Sequence, residues 1–145
     1  MTIRTVTKKD LKGLLNLYLH LNLDFVPIID NKIKKLWKRI LKSPEQHIIV
    51  GCCDNMIVTS CVLIIVDNLT RNQRPYAIVE NVVTHKDYRN RGYATEILNY
   101  AKEIAQKENC YKIMLSTSSK LESTLKFYQN AGYNSQDKTA FVQWL

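Results

Sequence analysis

A chain of 145 residues has the length of one ordinary domain. With 46% hydrophobic and 23% charged residues it can build a core without disulfides or a structural metal, which excludes disorder and a cysteine-stapled scaffold. The net charge of +8 favours anionic partners but does not choose among nucleic acid, membrane surface and phosphorylated small molecules.

Ile3 to Val6 reads as a short first strand. The preceding Met1-Thr2 and the polar Arg4 leave no apolar signal-peptide core, so a cytoplasmic protein is expected. Thr7-Lys8-Lys9-Asp10 has the form of a capping box with Asp in place of Glu. It opens a helix with Leu11, Leu14, Leu15, Tyr18 and Leu19 at helical spacing. Pro27 breaks the chain. Asp30 or Asn31 then caps a second helix, apolar at Ile33, Leu36, Trp37, Ile40 and Leu41 and ended by Ser43-Pro44. The lysines that crowd between Lys32 and Lys42 fall on this pattern and read as its solvated face.

The pattern then becomes β-branched. His47 to Cys52 and Ile57 to Val66 are strand runs separated by Asp54-Asn55, a hairpin turn. Even the longest apolar run, Cys61 to Val66, is too short to span a membrane, and no membrane partner is expected. A polar loop from Asp67 to Pro75 leads into a third strand, Tyr76 to Thr84. From Arg91 the period is helical again, with Ala94, Ile97, Leu98, Ala101, Ile104 and Ala105 on one face and an end near Glu108. Lys112 to Ser116 is a short buried strand. Ser119-Lys120-Leu121-Glu122 is a capping box opening another helix, and Gly132 stands where its C-terminal cap belongs. Thr139 to Leu145 reads as a last strand. Its apolar Phe141, Val142, Trp144 and Leu145 need cover, which predicts a homodimer joined there.

This order describes an α/β fold over residues 1–145: a central mixed, mostly antiparallel sheet with helices on both faces and one right-handed β-α-β crossover. Cys52, Cys53, Cys61 and Cys110 show no CxxC spacing, and His20, His47 and His85 are scattered. No metal site is expected, and the thiols should be reduced and mostly buried. No RNA-binding or recognition-helix motif accompanies the positive charge, so no nucleic-acid partner is expected.

The informative segment runs from Val82 through Val83, Thr84 and His85 to Arg89-Asn90-Arg91-Gly92-Tyr93-Ala94-Thr95. A strand ends, a basic loop follows, and a long helix begins at a glycine. Helix starts carry unsatisfied N–H groups and partial positive charge, a natural seat for a pyrophosphate. Gly92 would let the backbone approach an anion with no Cβ in the way. Of Arg89 and Arg91, one is expected at the phosphate and the other in solvent. On its own Arg-x-x-Gly-x-Ala is a loose pattern.

Two neighbours sharpen it. The strand before the loop carries Glu80, in Ile78-Val79-Glu80-Asn81-Val82-Val83. A later helix carries Phe127-Tyr128-Gln129-Asn130-Ala131-Gly132-Tyr133. Together the three segments resemble the GNAT acetyltransferase family. Arg89, Gly92 and Ala94 match its Arg/Gln-x-x-Gly-x-Gly/Ala loop, and Tyr128, Gly132 and Tyr133 match its Tyr-x-x-x-Gly-Phe/Tyr signature. Within that family, Cys110-Tyr111-Lys112-Ile113 and Lys126-Phe127-Tyr128 look like glucosamine-6-phosphate N-acetyltransferases. Where many relatives carry Asn seven or four residues before the tyrosine, this chain has Leu121 and Thr124.

The resemblance implies an N-acetyltransferase that uses acetyl-coenzyme A and a small-molecule amine acceptor. Residues Arg89 to Thr95 would cradle the pyrophosphate, and Val82, Val83 and Thr84 would offer backbone groups to the pantetheine arm. Glu80, directly or through water, would take the proton of the amine, and Tyr128 would give one to the leaving thiolate. Phe127 and Cys110 read as packing and His85 as a loop residue. The acceptor stays open among aminosugars, amino acids, polyamines, xenobiotic amines and protein amines. An alternative is a chain that holds acetyl-coenzyme A without turnover, as a sensor or subunit.

Overall fold

The computed structural model describes residues 1–21 and 24–145. Its elements are β1 (Thr2–Thr5), α1 (Leu11–Tyr18), α2 (Asn31–Ile40), β2 (Gln46–Cys53), β3 (Met56–Val66), β4 (Tyr76–Thr84), α3 (Tyr93–Lys107), β5 (Ile113–Leu115) and α4 (Glu122–Asn130). The strands form one sheet in sequence order. Neighbours from β1 to β4 are antiparallel, and β5 joins β4 in parallel after the α3 crossover. The expected mixed sheet is thus what forms.

Each helix binds the sheet through one apolar stripe. Ile97, Leu98, Ala101 and Ala105 of α3 pack on Ile49, Cys61, Leu63, Ala77 and Val79, joined from α4 by Phe127 and Tyr128. On the opposite face Leu14 and Leu17 of α1 and Trp37 of α2 pack on Ile48, Val50, Val62 and Val83. Removing a fully buried Leu, Ile or Val side chain from water contributes about 1.5–3 kcal/mol. The two clusters therefore fix the helices on both faces.

Local signals account for the element ends. Asp54 and Asn55 both hold left-handed φ, 48° and 65°, as a two-residue type I′ hairpin turn requires. The Asp30 carboxylate accepts the Ile33 N–H at 2.8 Å and caps α2. At the end of α4, Gly132 (φ 91°) donates to the Gln129 carbonyl at 2.9 Å and Tyr133 to the Tyr128 carbonyl at 3.0 Å. This is the Schellman pattern expected of that glycine.

Three expectations are corrected. Thr139 to Leu145 forms no strand: no described strand follows β5, and Phe141 and Trp144 are 93% and 91% exposed. A strand exists only as part of a ladder, and nothing within the described chain pairs with this segment. The Ser119 capping box does not form either. Leu121 is the residue at the N-cap of α4, while the Ser119 hydroxyl lies two residues earlier and donates to Thr124 Oγ1 at 3.0 Å. Of the α2 stripe Trp37 is buried, whereas Leu36 is exposed. Among the cysteines, Cys61 is buried and the other three are half-buried, all as free thiols.

Candidate active site

The site grows from a bulge and a parting of strands. Ser60 pairs with Val83 and Val62 with Glu80, so Cys61 stands opposite two residues of β4, Asn81 and Val82. Asn81 absorbs the extra residue with φ 52°. Before the bulge Ala77 and Val79 face α3. After it Val82 faces α3 and Val83 faces α1, a parity that a regular strand would reverse. On its other side β4 pairs with β5 from Ala77 to Val79, and beyond Val79 the strands part. The edge of β4 from Glu80 to Thr84 then has no described strand beside it.

A cleft of about 530 Å³ opens there. It is lined by Val82, Val83 and Thr84 of β4, by Tyr88, Arg89, Asn90 and Gly92 of the next loop, and by Tyr93, Ala94 and Thr95 of α3. Ser123, Thr124, Phe127 and Tyr128 come from α4, and His20 from the turn after α1. The lip is tied down by Thr59, whose buried hydroxyl donates to the Val83 carbonyl at 2.9 Å and lies 2.9 Å from the Thr84 hydroxyl.

One end of the cleft is formed by the start of α3. Gly92 caps α3 in the left-handed region, φ 79°, and the first helical bond runs from Glu96 N–H to its carbonyl at 3.0 Å. The N–H groups of Tyr93, Ala94 and Thr95 therefore have no helical acceptor, and no side chain caps them. Asn90 is also left-handed, φ 60°, which curls the preceding loop. A Cβ on Gly92 would meet nothing within 4 Å, so its backbone angle, not crowding within the protein, calls for glycine.

The two arginines separate. Arg89 lines the cleft, with Nε donating to the Thr84 carbonyl at 3.2 Å. Arg91 is outside the lining. Its guanidinium donates to the Asp87 carbonyl at 3.0 Å and lies 5.0 Å over the Tyr88 ring.

Tyr128 stands in the cleft wall. Its ring rests against Phe127 (4.8 Å between centroids) and edge-on to Tyr133 (6.1 Å). Burial first, then the neighbouring Cys61 and Glu80, hold its phenol above the ordinary value near 10, so it stays protonated at neutral pH. Burial also pushes Cys61 and Tyr133 up to about 12, which leaves both as inert neutral groups. Glu80 is exposed opposite Val62 and outside the cleft lining, although its charge is felt at Tyr128. By strand alternation from Val79 it points to the α1 side of the sheet.

Every residue anticipated for coenzyme binding thus lines one cleft except Arg91, and of the anticipated catalytic pair Tyr128 does and Glu80 does not. Sequence reasoning missed His20, Tyr88 and Ser123. Phe127, read as packing, and Thr124, noted for the Asn it replaces, also reach the lining. Ser123 and Thr124 precede Phe127 and Tyr128 by one helical turn, so helical spacing alone could have placed them beside the tyrosine. No pattern announces His20.

Comparison with known proteins agrees with this geometry. The profile of the acetyltransferase (GNAT) family matches residues 13–133. A glucosamine 6-phosphate N-acetyltransferase from Trypanosoma brucei brucei is 32% identical over 82 residues, 57% of this chain and 54% of that protein, so the match spans about half the relative's length. A candidate acetyltransferase from Agrobacterium tumefaciens superposes over 100% of both chains with a TM-score of 0.93 and 36% identity. The Arabidopsis thaliana glucosamine-6-phosphate N-acetyltransferase shares the fold, with a TM-score of 0.86 and 18% identity over 99% of this chain and 97% of its own. With its family profile matched over most of its length, its strands parted beside a bulged β4 and its basic loop opening α3 at a glycine, the chain belongs to the GNAT acetyltransferase family.

Proposed function

We propose that this protein is a cytoplasmic N-acetyltransferase that moves an acetyl group from acetyl-coenzyme A to the primary amine of a small molecule. The observation that carries the reading is continuity. A single cleft joins the uncapped N-terminus of α3 to the free edge of β4 and to Tyr128. A coenzyme has the matching parts in the matching order: a diphosphate for the helix start, an amide-rich arm for the strand edge, and a thioester at the far end.

In this scheme Arg89, Asn90, Gly92, Tyr93, Ala94 and Thr95 hold the diphosphate, and Arg91 braces the loop from outside. Val82, Val83 and Thr84 pair with the pantetheine amides. The neutral amine attacks the thioester carbonyl carbon. Glu80, through a water, takes the proton that the nitrogen must lose. As the carbon–sulfur bond breaks, Tyr128 donates its proton to the departing thiolate, and the phenolate regains one from solvent. A tyrosine held above its ordinary pKa is available as a donor throughout the neutral range.

An aminosugar phosphate is the first acceptor to test, on the strength of what the Trypanosoma relative is named for. The exposed apolar segment around Phe141 and Trp144 supports a homodimer in which it is covered. The test is a melting curve with and without excess acetyl-coenzyme A, followed by thiol release over a panel of amines. Stabilisation by mass action and amine-dependent thiol release are expected. Absence of any thermal shift would remove the reading, and a shift without turnover on any amine would leave a coenzyme-binding subunit instead.

A further inference from the structure

His20 sits in the turn after α1 and belongs to none of the motifs that define the cleft, yet it lines it beside Thr84 and Arg89. Its ring lies against that of His85, with centroids 4.1 Å apart and planes tilted by 58°. His85 is firmly held. Its backbone N–H donates to the Val58 carbonyl at 2.8 Å, its ring meets Tyr88 edge-on at 5.6 Å, and its Nδ1 accepts the Asp87 N–H at 3.3 Å. A nitrogen that accepts carries no proton, so neutral His85 has its hydrogen on Nε2. The Asp87 carboxylate lies 3.7 Å from the same Nδ1.

Around His20 lie the cationic Lys86 and Arg89, the anionic Asp87 and the His85 imidazole. Burial first, then His85, Arg89 and Lys86, hold the His20 imidazole below its ordinary value near 6.5, against a weaker pull from Asp87. At neutral pH it is therefore uncharged in the free protein. An incoming diphosphate would offset the repulsion that Arg89 and Lys86 exert on a protonated His20.

We propose that His20, held against the His85 ring, is a proton-accepting part of the anion site, taking up a proton as a diphosphate settles between Arg89 and the start of α3. The imidazolium then adds its charge to the hold on the anion, with Asp87 nearby to balance it. This rests on the coenzyme reading above and adds to it a residue outside the basic loop. The sign follows from linkage. The bound-state pKa of His20 lies above its free-state pKa. The added affinity is complete below the free-state value and is lost as pH rises through the bound-state value. Each unit between the two is worth about tenfold in affinity.

The experiment uses the full chain and coenzyme A itself. Calorimetric titrations at about pH 5.5 and about pH 8, in buffers of different ionisation enthalpy, give both Kd and the number of protons taken up. Wild type is compared with His20→Gln, and with His20→Phe, which keeps a ring against His85 but cannot take the proton. The coenzyme's own phosphate ionisation is common to all three proteins and cancels in the comparison. Wild type should tighten from high to low pH by about tenfold more than either variant and should take up more protons on binding. All three should bind within about twofold of one another at the higher pH, where His20 is neutral in both states. Equal pH dependence and equal proton uptake in all three proteins would reduce His20 to packing while leaving the coenzyme site intact. No binding by wild type at either pH would overturn the coenzyme reading and this inference together.

Discussion

Arg4 and Asp10 meet in a two-point contact, Nη1 to Oδ2 at 2.7 Å and Nη2 to Oδ1 at 2.9 Å, that ties β1 to the turn opening α1. The same carboxylate accepts the Thr7 N–H at 2.6 Å and the Thr7 hydroxyl at 2.9 Å. It is the reaching-back half of the capping box legible in Thr7-Lys8-Lys9-Asp10. The Arg4 hydrogen bond first, and the Thr7 bonds against the opposing effect of burial, bring Asp10 down to about 2 from 3.8.

A depressed carboxylate stabilises the fold above its unfolded pKa, and that contribution is lost as pH falls through 3.8 towards about 2. The Arg4 side chain is 39% exposed, so solvent screening cuts the full electrostatic figure to about 1–2 kcal/mol. Asp10→Asn is expected to lose that much in denaturant unfolding at neutral pH and to approach wild type near the lower end of the window. A gap between the two proteins that does not narrow with acid would mean that Asp10 acts through shape alone.

Gly92 has two reasons to be glycine, and they separate by experiment. Its φ of 79° makes any side chain strained by about 1–3 kcal/mol. The open space around it means that a Cβ meets no protein atom, and Gly92 itself lines the cleft. Gly92→Val is therefore expected to stay folded by circular dichroism and to weaken acetyl-coenzyme A at least about tenfold, as the cost of a displaced anion contact. Unchanged affinity in a folded variant would locate the diphosphate elsewhere.

The terminal segment offers a third test. Phe141, Val142, Trp144 and Leu145 are all exposed, and no described strand lies on the outer side of β5. If a second copy covers them, light scattering should give about twice the 16.9 kDa chain mass. Phe141→Asp with Trp144→Asp should halve it while the coenzyme still binds. A wild-type monomer at working concentration would remove the dimer.

What could be read from the residues depended on how local the cause was. The β4 and α3 boundaries, the I′ turn at Asp54-Asn55 and the Gly132 cap follow from neighbouring side chains, and all were legible. The bulge was not. Asn81 is left-handed because Cys61 faces two residues across the ladder, a fact of strand pairing that one strand does not carry. Arg89 and Arg91 are equivalent in sequence, and the Tyr88 ring and the Asp87 carbonyl divide them in space. His20 enters the site from the turn after α1, far back in the chain from the basic loop, so no spacing rule could have brought it in.

The last prediction concerns Tyr128 and tests chemistry apart from binding. The Schellman turn at Gly132 and Tyr133 closes α4 behind this residue, and Phe127 and Tyr133 hold its ring on two sides. Tyr128→Phe keeps the ring and those contacts, so the fold and the coenzyme affinity should stay within a few-fold of wild type. The hydroxyl matters only as the thiolate leaves, because that is when negative charge builds on sulfur. A donor used only in the transition state lowers kcat when removed and barely moves KM. General-acid help is worth about 10²–10⁴-fold, and the lower end is expected because solvent can protonate a thiolate in the donor's place. The loss should therefore be about 10²-fold in kcat, largest where thiolate departure limits the rate. Because burial and the nearby Glu80 keep the phenol above its ordinary pKa, wild type should show no loss of the donor anywhere in the neutral range. A variant with wild-type kcat at every pH would make Tyr128 a wall residue. A variant that fails to bind the coenzyme would make its hydroxyl a binding contact, and in that case the acid must be sought among Ser123 and Thr124, the other hydroxyls that α4 brings to the cleft.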